Sequence, residues 1–401
     1  MTTAGDIVII GAGECGVRAA FTLREASFDG GIVLVGEEPH LPYERPPLSK
    51  NSPVCAKPIA EESRFAESGI ELLRGRQAEN IDRATRTVRL SDGEQLAYDK
   101  LLIATGARAR RFPGMEAALT LRSVDDAHAI LGLLQPGIRL TVIGGGFIGL
   151  ELAATARRIG AEVIVIEAAD RMMARIMPAE IAAAVAERHQ AEGVEAILGV
   201  PVASVTERTV RLADGRLMEG DLVVAGVGAE PETRLAASAG LATADGIIVD
   251  ERFATGDPDI FAAGDCCSFP YDGSLVRLES WRAAQDQGAH AARAMLGETA
   301  PYARVPWFWS DQYDLTLQVA GLPRPMLPAI RRNVGDRTFI LFQIDETGRL
   351  VSASGIGPGN AVAKDIRLAE MMIERGLRPR PEELSDPAVN LKAVLKGVAT
   401  A

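Results

Sequence analysis

The chain has 401 residues, too many for one ordinary core, and this length predicts two or three domains. Apolar residues make up 47% and charged residues 24%, as in globular proteins that fold in water, and no apolar run has the length of a membrane span. The net charge of −11 argues against nucleic acid as a partner, because phosphate binding needs a basic face. No signal-peptide pattern is present, so the expected location is the cytoplasm.

A glycine-rich turn follows the first predicted strand. The strand Ile7–Ile10 is apolar, and Gly11-Ala12-Gly13-Glu14-Cys15-Gly16 leads from it into a helical pattern. A G-x-G-x-x-G turn lets backbone N–H groups at a helix start approach a pyrophosphate. The next apolar run ends before Glu37, where a carboxylate can accept hydrogen bonds from a ribose. One such turn is weak support by itself in a chain with 40 glycines.

The segment 41–50 is rich in proline, which fixes φ and removes backbone donors. It is therefore predicted to be an ordered loop or an extended segment rather than a regular helix or a central strand. Lys50 ends this segment and is one of few lysines in the chain. A buried strand at 101–104 then stops at Thr105-Gly106.

A second turn of the same design lies about 130 residues further on. Gly144-Gly145-Gly146-Phe147-Ile148-Gly149 follows an apolar strand, opens a helix, and is followed by a second strand that ends at Glu167. Two such turns predict two dinucleotides held by one chain. A carboxylate at Glu167 favours the free 2′-hydroxyl of NADH and repels the 2′-phosphate of NADPH, although Arg171 and Arg175 follow closely.

The remainder of the chain divides into two parts with different patterns of apolar residues. The strand at 222–225 ends at Gly226-Val227-Gly228, which repeats the end of the first unit and suggests internal duplication. A buried strand then stops at Asp265, and a helix is predicted from 279 to about 296. From Pro306, alternating apolar residues followed by helical segments predict a third domain of α+β type.

Cysteine and histidine are few and scattered. The four cysteines, Cys15, Cys55, Cys266 and Cys267, include no C-x-x-C pair, and the four histidines have no metal-ligand spacing. Neither a disulfide framework nor a metal site is predicted.

Several of these segments together resemble a known family. The chain is similar to the FAD-dependent, NAD(P)H-utilising ferredoxin reductases of bacterial oxygenase systems, which are glutathione-reductase-like flavoproteins that bind two dinucleotides. The resemblance covers nearly the whole chain and depends on residues 11–16, 42–50, 104–106, 144–151, 264–265, 279–281 and 306–310.

The resemblance implies an α/β fold with two Rossmann-like dinucleotide-binding domains and a C-terminal α+β domain. The FAD-binding domain would be discontinuous, with residues 1–107 and 235–303. The NAD(H)-binding domain would occupy 108–234 and the C-terminal domain 304–401.

The resemblance and the two turns together give a set of expected cofactor-binding residues. For FAD these are Gly11, Gly13, Cys15, Gly16, Glu37, Arg45, Lys50, Ala78, Thr105, Gly106, Arg122, Asp265 and Trp281. For NAD they are Gly144, Gly146, Ile148, Gly149, Glu167, Arg175 and Gly228.

The resemblance also implies a catalytic pair, Lys50 and Glu151, near the N5 edge of the flavin. Hydride arriving at N5 leaves negative charge on the ring, which an ammonium group stabilises, and Glu151 would hold Lys50 in place. The alternatives are a surface lysine and a glutamate that only favours a helix dipole.

The family's usual electron acceptor is a [2Fe–2S] ferredoxin that supplies a monooxygenase, a dioxygenase or a cytochrome P450. A local basic face would dock this acidic partner, and the candidates are Arg108, Arg110, Arg111, Arg324, Arg331 and Arg332. Two alternatives remain open: an NADH oxidase or peroxidase, and a redox-switched binding protein like apoptosis-inducing factor. The chain is expected to be a monomer or a homodimer.

Overall fold

The computed structural model describes residues 5–397, which divide into two compact units. Unit 1 consists of Met1–Arg45, Ala56–Arg108 and Ala229–Arg304. Unit 2 consists of Pro46–Cys55, Ala109–Gly228 and Val305–Ala401. The second half of the proline-rich segment, residues 46–50 with Lys50, is therefore part of unit 2.

Unit 1 is built on a parallel sheet with the first strand at its centre. All four residues of that strand are buried, as expected for a strand covered on both faces. Ile7 lies opposite both Ile32 and Lys100 in the register. In spatial order the strands of this sheet are Ile260–Ala262, Lys100–Ile103, Ile7–Ile10, Ile32–Gly36 and Ile70–Arg74.

Antiparallel strands and helices complete unit 1. The longest helix, Trp281–Met295, packs closely on Glu14–Glu25, since a Cβ at Gly288 would lie 2.3 Å from the carbonyl oxygen of Cys15. The remaining helices are Glu62–Glu67 and Arg234–Ser238. The remaining strands are Ala78–Asp82, Thr87–Leu90, Gln95–Ala97, Thr243–Ala244, Gly246–Ile248, Cys267–Tyr271 and Ser274–Val276, with Ala107–Ala109 and Ala229–Pro231 where the chain passes between the units.

Unit 2 repeats this design over 119–225. Its parallel sheet has the order Glu195–Leu198, Glu162–Glu167, Arg139–Ile143, Leu222–Ala225 and Leu119–Thr120. Three antiparallel strands accompany it: Val202–Val205, Thr209–Leu212 and Leu217–Glu219. The helices are Val124–Leu131, Phe147–Ile159 and Ala179–Ala191, and a single 3₁₀ turn, Pro46–Ser49, lies in the proline-rich segment.

The C-terminal part of unit 2 is an antiparallel sheet covered by helices. Its strands, in spatial order, are Trp307–Gln312, Leu315–Gly321, Leu350–Pro358, Thr338–Ile344 and Ile330–Gly335. The helices are Ala363–Glu374, Pro381–Ser385 and Leu391–Lys396. Their apolar faces and the strands share one core that includes Ile340, Phe342 and Ile366.

The predicted fold class, two Rossmann-like domains and a C-terminal α+β domain, is confirmed. Within residues 5–397 no helix is both long enough and apolar enough to cross a membrane.

Candidate functional site

The two glycine turns have the same local geometry. Gly11 and Gly144 have φ of +110° and +103°, which favour glycine. A Cβ on Gly11 would lie 2.1 Å from the carbonyl oxygen of Ala104, and one on Gly144 would lie 2.4 Å from that of Gly226. The first glycine of each turn is therefore required by the neighbouring strand.

The other glycines of each turn have different tasks. A Cβ on Gly16 would lie 1.9 Å from the oxygen of Gly11, and one on Gly149 would lie 2.4 Å from that of Gly144, so these two allow the helix to pack on its strand. A Cβ on Gly13, by contrast, would meet no described atom within 4 Å. This open side is where a pyrophosphate can approach the backbone.

Both helices that follow begin without a capping side chain. Gly13 and Gly146 are the N-cap residues of Glu14–Glu25 and Phe147–Ile159, and neither has a side-chain hydrogen bond to the helix. The first backbone N–H groups of a helix need an acceptor. Two dinucleotide pyrophosphates therefore fit these two turns.

The acids after the second strands differ in position. Glu167 is the last residue of its strand, and its oxygens accept hydrogen bonds from the backbone N–H of Gly145 (2.7 Å) and of Ala169 (2.9 Å). In unit 1 the register position matching Glu167 is occupied by Gly36, and Glu37 is the exposed residue after it. The carboxylate of unit 2 is thus fixed beside its glycine turn.

Several of the other expected FAD residues lie close together within unit 1. Cys15 is buried, and a Cβ on Gly264 would lie 3.3 Å from its Sγ, so Asp265 is next to the first glycine turn. Thr105 Oγ1 donates to the carbonyl oxygen of Glu232 at 2.7 Å, and Gly106 has φ +70°. Trp281 is the first residue of its helix, which Ser280 caps.

Two further expected FAD residues, Arg45 and Ala78, are also in unit 1. Arg45 pairs with Glu38 at 2.7 Å, and Tyr43 donates to the same carboxylate at 2.5 Å. Ala78 is buried at the start of its strand. A pocket of the same unit is lined by Pro39, Leu72, Leu73, Arg74 and Arg76.

Within unit 2, the expected NAD residues surround the second glycine turn. Ile148 is half exposed although it is apolar. Arg175 Nη2 lies 3.9 Å from where a Cβ on Gly228 would be, so these two are neighbours. Arg122, expected near FAD, is also in unit 2, where its backbone N–H donates to Asp126 at 2.9 Å.

Lys50 and Glu151 form an ion pair inside unit 2. Lys50 Nζ lies 2.8 Å from Glu151 Oε2, with side-chain exposures of 20% and 5%. Lys50 is therefore not a free surface lysine, and Glu151 does more than favour a helix dipole. A buried pair of this kind is costly unless further hydrogen bonds satisfy it.

Polar groups that sequence reasoning missed supply those hydrogen bonds. Ser49 Oγ donates to Glu151 Oε2 at 2.5 Å, and Ser310 Oγ donates to Oε1 at 2.6 Å. One signal was available, because Glu151, Thr155 and Arg158 share one face of the helix Phe147–Ile159 at spacings of four and three. Thr155 Oγ1 donates to the carbonyl oxygen of Ser49 at 2.9 Å, and Arg158 to that of Lys50 at 2.7 Å.

None of the four cysteines is in a disulfide bond, and all four lie in the described part of the chain. Burial raises the pKa of the thiols of Cys15, Cys266 and Cys267. Cys55 is the exposed one. A residue group able to hold a metal ion is not found between residues 5 and 397.

Comparison with known proteins identifies the family. Residues 5–288 match the family model described as pyridine nucleotide-disulphide oxidoreductase, and residues 307–395 match the one described as reductase C-terminal. A relative from Photorhabdus laumondii, the 3-phenylpropionate/cinnamic acid dioxygenase ferredoxin–NAD(+) reductase component, is 43% identical over 78% of this chain and 83% of its own. The anthranilate 1,2-dioxygenase system ferredoxin–NAD(+) reductase component of Burkholderia cepacia is 38% identical over 98% of this chain and all of its own (100%).

Solved structures agree with this. The covalent putidaredoxin reductase–putidaredoxin complex matches with a TM-score of 0.93 and 32% identity, covering 99% of both chains. The ferredoxin reductase for the CYP199A2 system of Rhodopseudomonas palustris matches with a TM-score of 0.90 and 37% identity, covering 98% of this chain and 100% of that one. This chain belongs to the pyridine nucleotide-disulphide oxidoreductase family, and the prediction of an oxidoreductase with FAD and NADH as cofactors is confirmed.

Proposed function

Starting from this family membership, we propose that the chain is the NADH:ferredoxin reductase of a bacterial oxygenase system, with a [2Fe–2S] ferredoxin as its partner. One observation carries the proposal. The chain has two nucleotide turns, but its four cysteines form no disulfide and three of them are buried. Without a thiol relay, FAD held by the first glycine turn would supply its electrons to an external acceptor. Relatives that are named as reductase components of dioxygenase systems support the same acceptor class.

In this proposal the FAD domain is 1–107 with 235–303, the NAD(H) domain is 108–234, and the C-terminal domain is 304–401. Bound FAD supplies the chemistry of accepting a hydride and releasing electrons singly. The chain's own residues bind and orient the two nucleotides through the glycine turns, Asp265 and Glu167. The proposed location is the cytoplasm, and the proposed state is a monomer or a homodimer.

Lys50 and Glu151 are the proposed catalytic pair. The ammonium of Lys50 would stabilise negative charge on a reduced flavin bound beside it. Glu151, which also accepts from Ser49 and Ser310, keeps that ammonium in one place and balances its charge. Peroxidases of this superfamily have a cysteine at about this position, and their reaction passes through its sulfenic acid. Lysine cannot form a sulfenic acid, which argues against a peroxidase.

The proposal is tested by anaerobic reduction of purified [2Fe–2S] ferredoxins with NADH. Rapid, reductase-dependent bleaching of a ferredoxin is expected, together with slow NADH consumption in air without ferredoxin. Gly144→Ala serves as the control, since its Cβ would collide with the carbonyl oxygen of Gly226 and block only the NADH turn.

Other results identify the alternatives. Fast NADH consumption with dioxygen or peroxide alone would identify an oxidase or peroxidase. Very slow turnover with every acceptor, together with a long-lived complex of reduced flavin and NAD⁺, would identify a redox-switched binding protein.

A further inference from the structure

The hydrogen bond from Ser310 to Glu151 is the end of a longer buried chain within unit 2. Gln312 Nε2 donates to Ser310 Oγ at 3.2 Å, and Gln312 Oε1 lies 2.8 Å from His189 Nε2. Ser310, Gln312 and His189 are 1%, 4% and 1% exposed, so protein groups rather than bulk water satisfy them.

The direction of each bond in this chain is determined by chemistry. The hydroxyl proton of Ser310 points to Glu151, so its oxygen accepts from the amide nitrogen of Gln312. The amide oxygen then faces His189, whose Nε2 must carry a proton. His189 Nδ1 is left to face the hydroxyl of Tyr313 at 3.4 Å. Every donor from His189 onward is thus aimed toward the Glu151 carboxylate.

Ser310 lies beside Glu151 because residue spacings along the strand Trp307–Gln312 match those along the helix Phe147–Ile159. Phe308, Ser310 and Gln312 share one face of the strand Trp307–Gln312, with alternate residues about 6.6 Å apart. Phe147 and Glu151, four residues apart on a helix, are separated by about 6 Å along its axis. Phe308 accordingly packs on Phe147 with ring centroids 5.3 Å apart, and Ser310 meets Glu151 one turn later.

We propose that Ser310 is a positioning residue of the reductase: it holds the Glu151 carboxylate toward Lys50, while Gln312 and His189 hold Ser310 in its donating orientation. This inference depends on the role proposed above for Lys50 and Glu151. Ser310 donates a hydrogen bond to Oε1 of Glu151, so that Oε2 is directed at the ammonium of Lys50. Without this donor the buried Oε1 of Glu151 loses its hydrogen bond. The carboxylate is then held through Oε2 by Ser49 and Lys50, and it can rotate out of its orientation toward Lys50.

The test compares Ser310→Ala with a matched control, Ser354→Ala. Ser354 is also 1% exposed and lies in the same sheet, but its hydroxyl has no hydrogen-bond partner among residues 5–397. Stopped-flow reduction of the bound flavin by NADH is expected to slow about tenfold in Ser310→Ala, which is about 1.4 kcal/mol and near the lower end for a hydrogen bond to a charged group. The flavin midpoint potential is expected to become more negative.

A second measurement follows Lys50 itself in the absence of turnover. With ¹³Cε-labelled lysine only six side chains give signals, and Lys50 is assigned by substitution. Its resonance is expected to move toward those of the exposed lysines in Ser310→Ala and to stay unchanged in Ser354→Ala. Ser310→Thr, which keeps a hydroxyl, is expected to restore both the resonance and the reduction rate to within about twofold of the starting protein.

Gln312→Met is a second route should Ser310→Ala not fold, because it removes the amide that orients Ser310. It is expected to change both measurements in the same direction. If Ser310→Ala and Gln312→Met match Ser354→Ala in both measurements while Glu151→Gln slows flavin reduction, this inference is wrong and the proposed pair stands. If Lys50→Met and Glu151→Gln leave flavin reduction unchanged, the proposed role of the pair is wrong instead.

Discussion

In the proposed NAD site, the Glu167 carboxylate would both fix the glycine turn and bind the nucleotide. Its two oxygens already accept from Gly145 N–H and Ala169 N–H, which fixes the side chain at the strand end. A carboxylate has about four acceptor positions, so it can still accept from ribose hydroxyls. In the proposed site, this fixed negative charge would repel the 2′-phosphate of NADPH.

Replacement of Glu167 by Gln is expected to lower the preference for NADH over NADPH about tenfold or more. The amide keeps an acceptor oxygen but loses the negative charge that opposes the 2′-phosphate. The ratio of kcat/KM values for the two cofactors measures this. Glu162→Gln, at the exposed start of the same strand, is the control and should keep the original ratio. An unchanged ratio in Glu167→Gln would show that another group selects the cofactor.

The buried His189 makes the stability of the folded protein depend on pH. Burial lowers the pKa of His189, partly offset by its hydrogen bond to Gln312; the charges of Arg188 and Glu192 act in opposite directions. The folded state therefore binds fewer protons than the unfolded state below about pH 6.5. The stability that neutral His189 contributes is present above that pH and is lost as the pH falls.

His189→Gln is expected to reduce the fall in thermal unfolding midpoint between pH 7 and pH 5.5, because glutamine keeps a donor toward Gln312 but does not titrate. Only part of the pH dependence should disappear, since burial also lowers the pKa of His290 in unit 1. His128→Gln, at an exposed position, is the control. Identical pH dependence in His189→Gln and the unchanged protein would contradict the argument.

Among the elements, the helix Phe147–Ile159 connects the glycine turn to the segment 46–55. Its first turn directly follows the second glycine turn, while Glu151, Thr155 and Arg158 bind Ser49 and Lys50 further along the helix. The helix itself was predicted because its glycine turn and apolar spacing are local signals. The partner strand Trp307–Gln312 could not be found this way, since 159 residues separate Glu151 from Ser310 and only tertiary packing brings them together.

A four-residue sequence that occurs once in unit 1 and once in unit 2 was also missed. Thr87-Val88-Arg89-Leu90 and Thr209-Val210-Arg211-Leu212 form equivalent strands, and each is followed by a turn in which Asp precedes a glycine of positive φ, Gly93 or Gly215. The identical letters were visible in the sequence and support the duplication inferred from the glycine turns.

Thr155→Val is expected to loosen the segment 46–55 without disturbing the sheet. It removes the hydroxyl that donates to Ser49 and accepts from Arg158. Cleavage by trypsin after Lys50 should become several-fold faster, because local opening exposes the bond. Lys57 precedes Pro58 and is not cut by trypsin, so cleavage in this segment reports on Lys50 alone. Thr141→Val, another buried threonine of unit 2, is the control; equal cleavage rates in the two variants would contradict the anchoring role.

For the molecule as a whole, the net charge can be read from the sequence, but the arginines that remain available at the surface cannot. Arg332 is 4% exposed and donates to the carbonyl oxygens of Asp386 and Val389, so its predicted place on a docking face is wrong. Arg331 pairs with Glu180, and Arg108 pairs with Glu230 and Glu232. A count of arginines along a chain cannot anticipate such pairing, because their partners are distant in sequence.

A net charge of −11 repels an acidic ferredoxin at long range, so docking requires a local patch of opposite sign. The expected result is that the second-order rate of ferredoxin reduction falls as ionic strength rises, because the Debye length shrinks from about 10 Å at 0.1 M to about 3 Å at 1 M and screens that patch. Stopped-flow measurements over this range test it, with menadione, an uncharged acceptor, as the control for salt effects on the NADH step. A rate that stays flat or rises with salt, while menadione reduction is constant, would show that net repulsion or apolar contact governs docking instead.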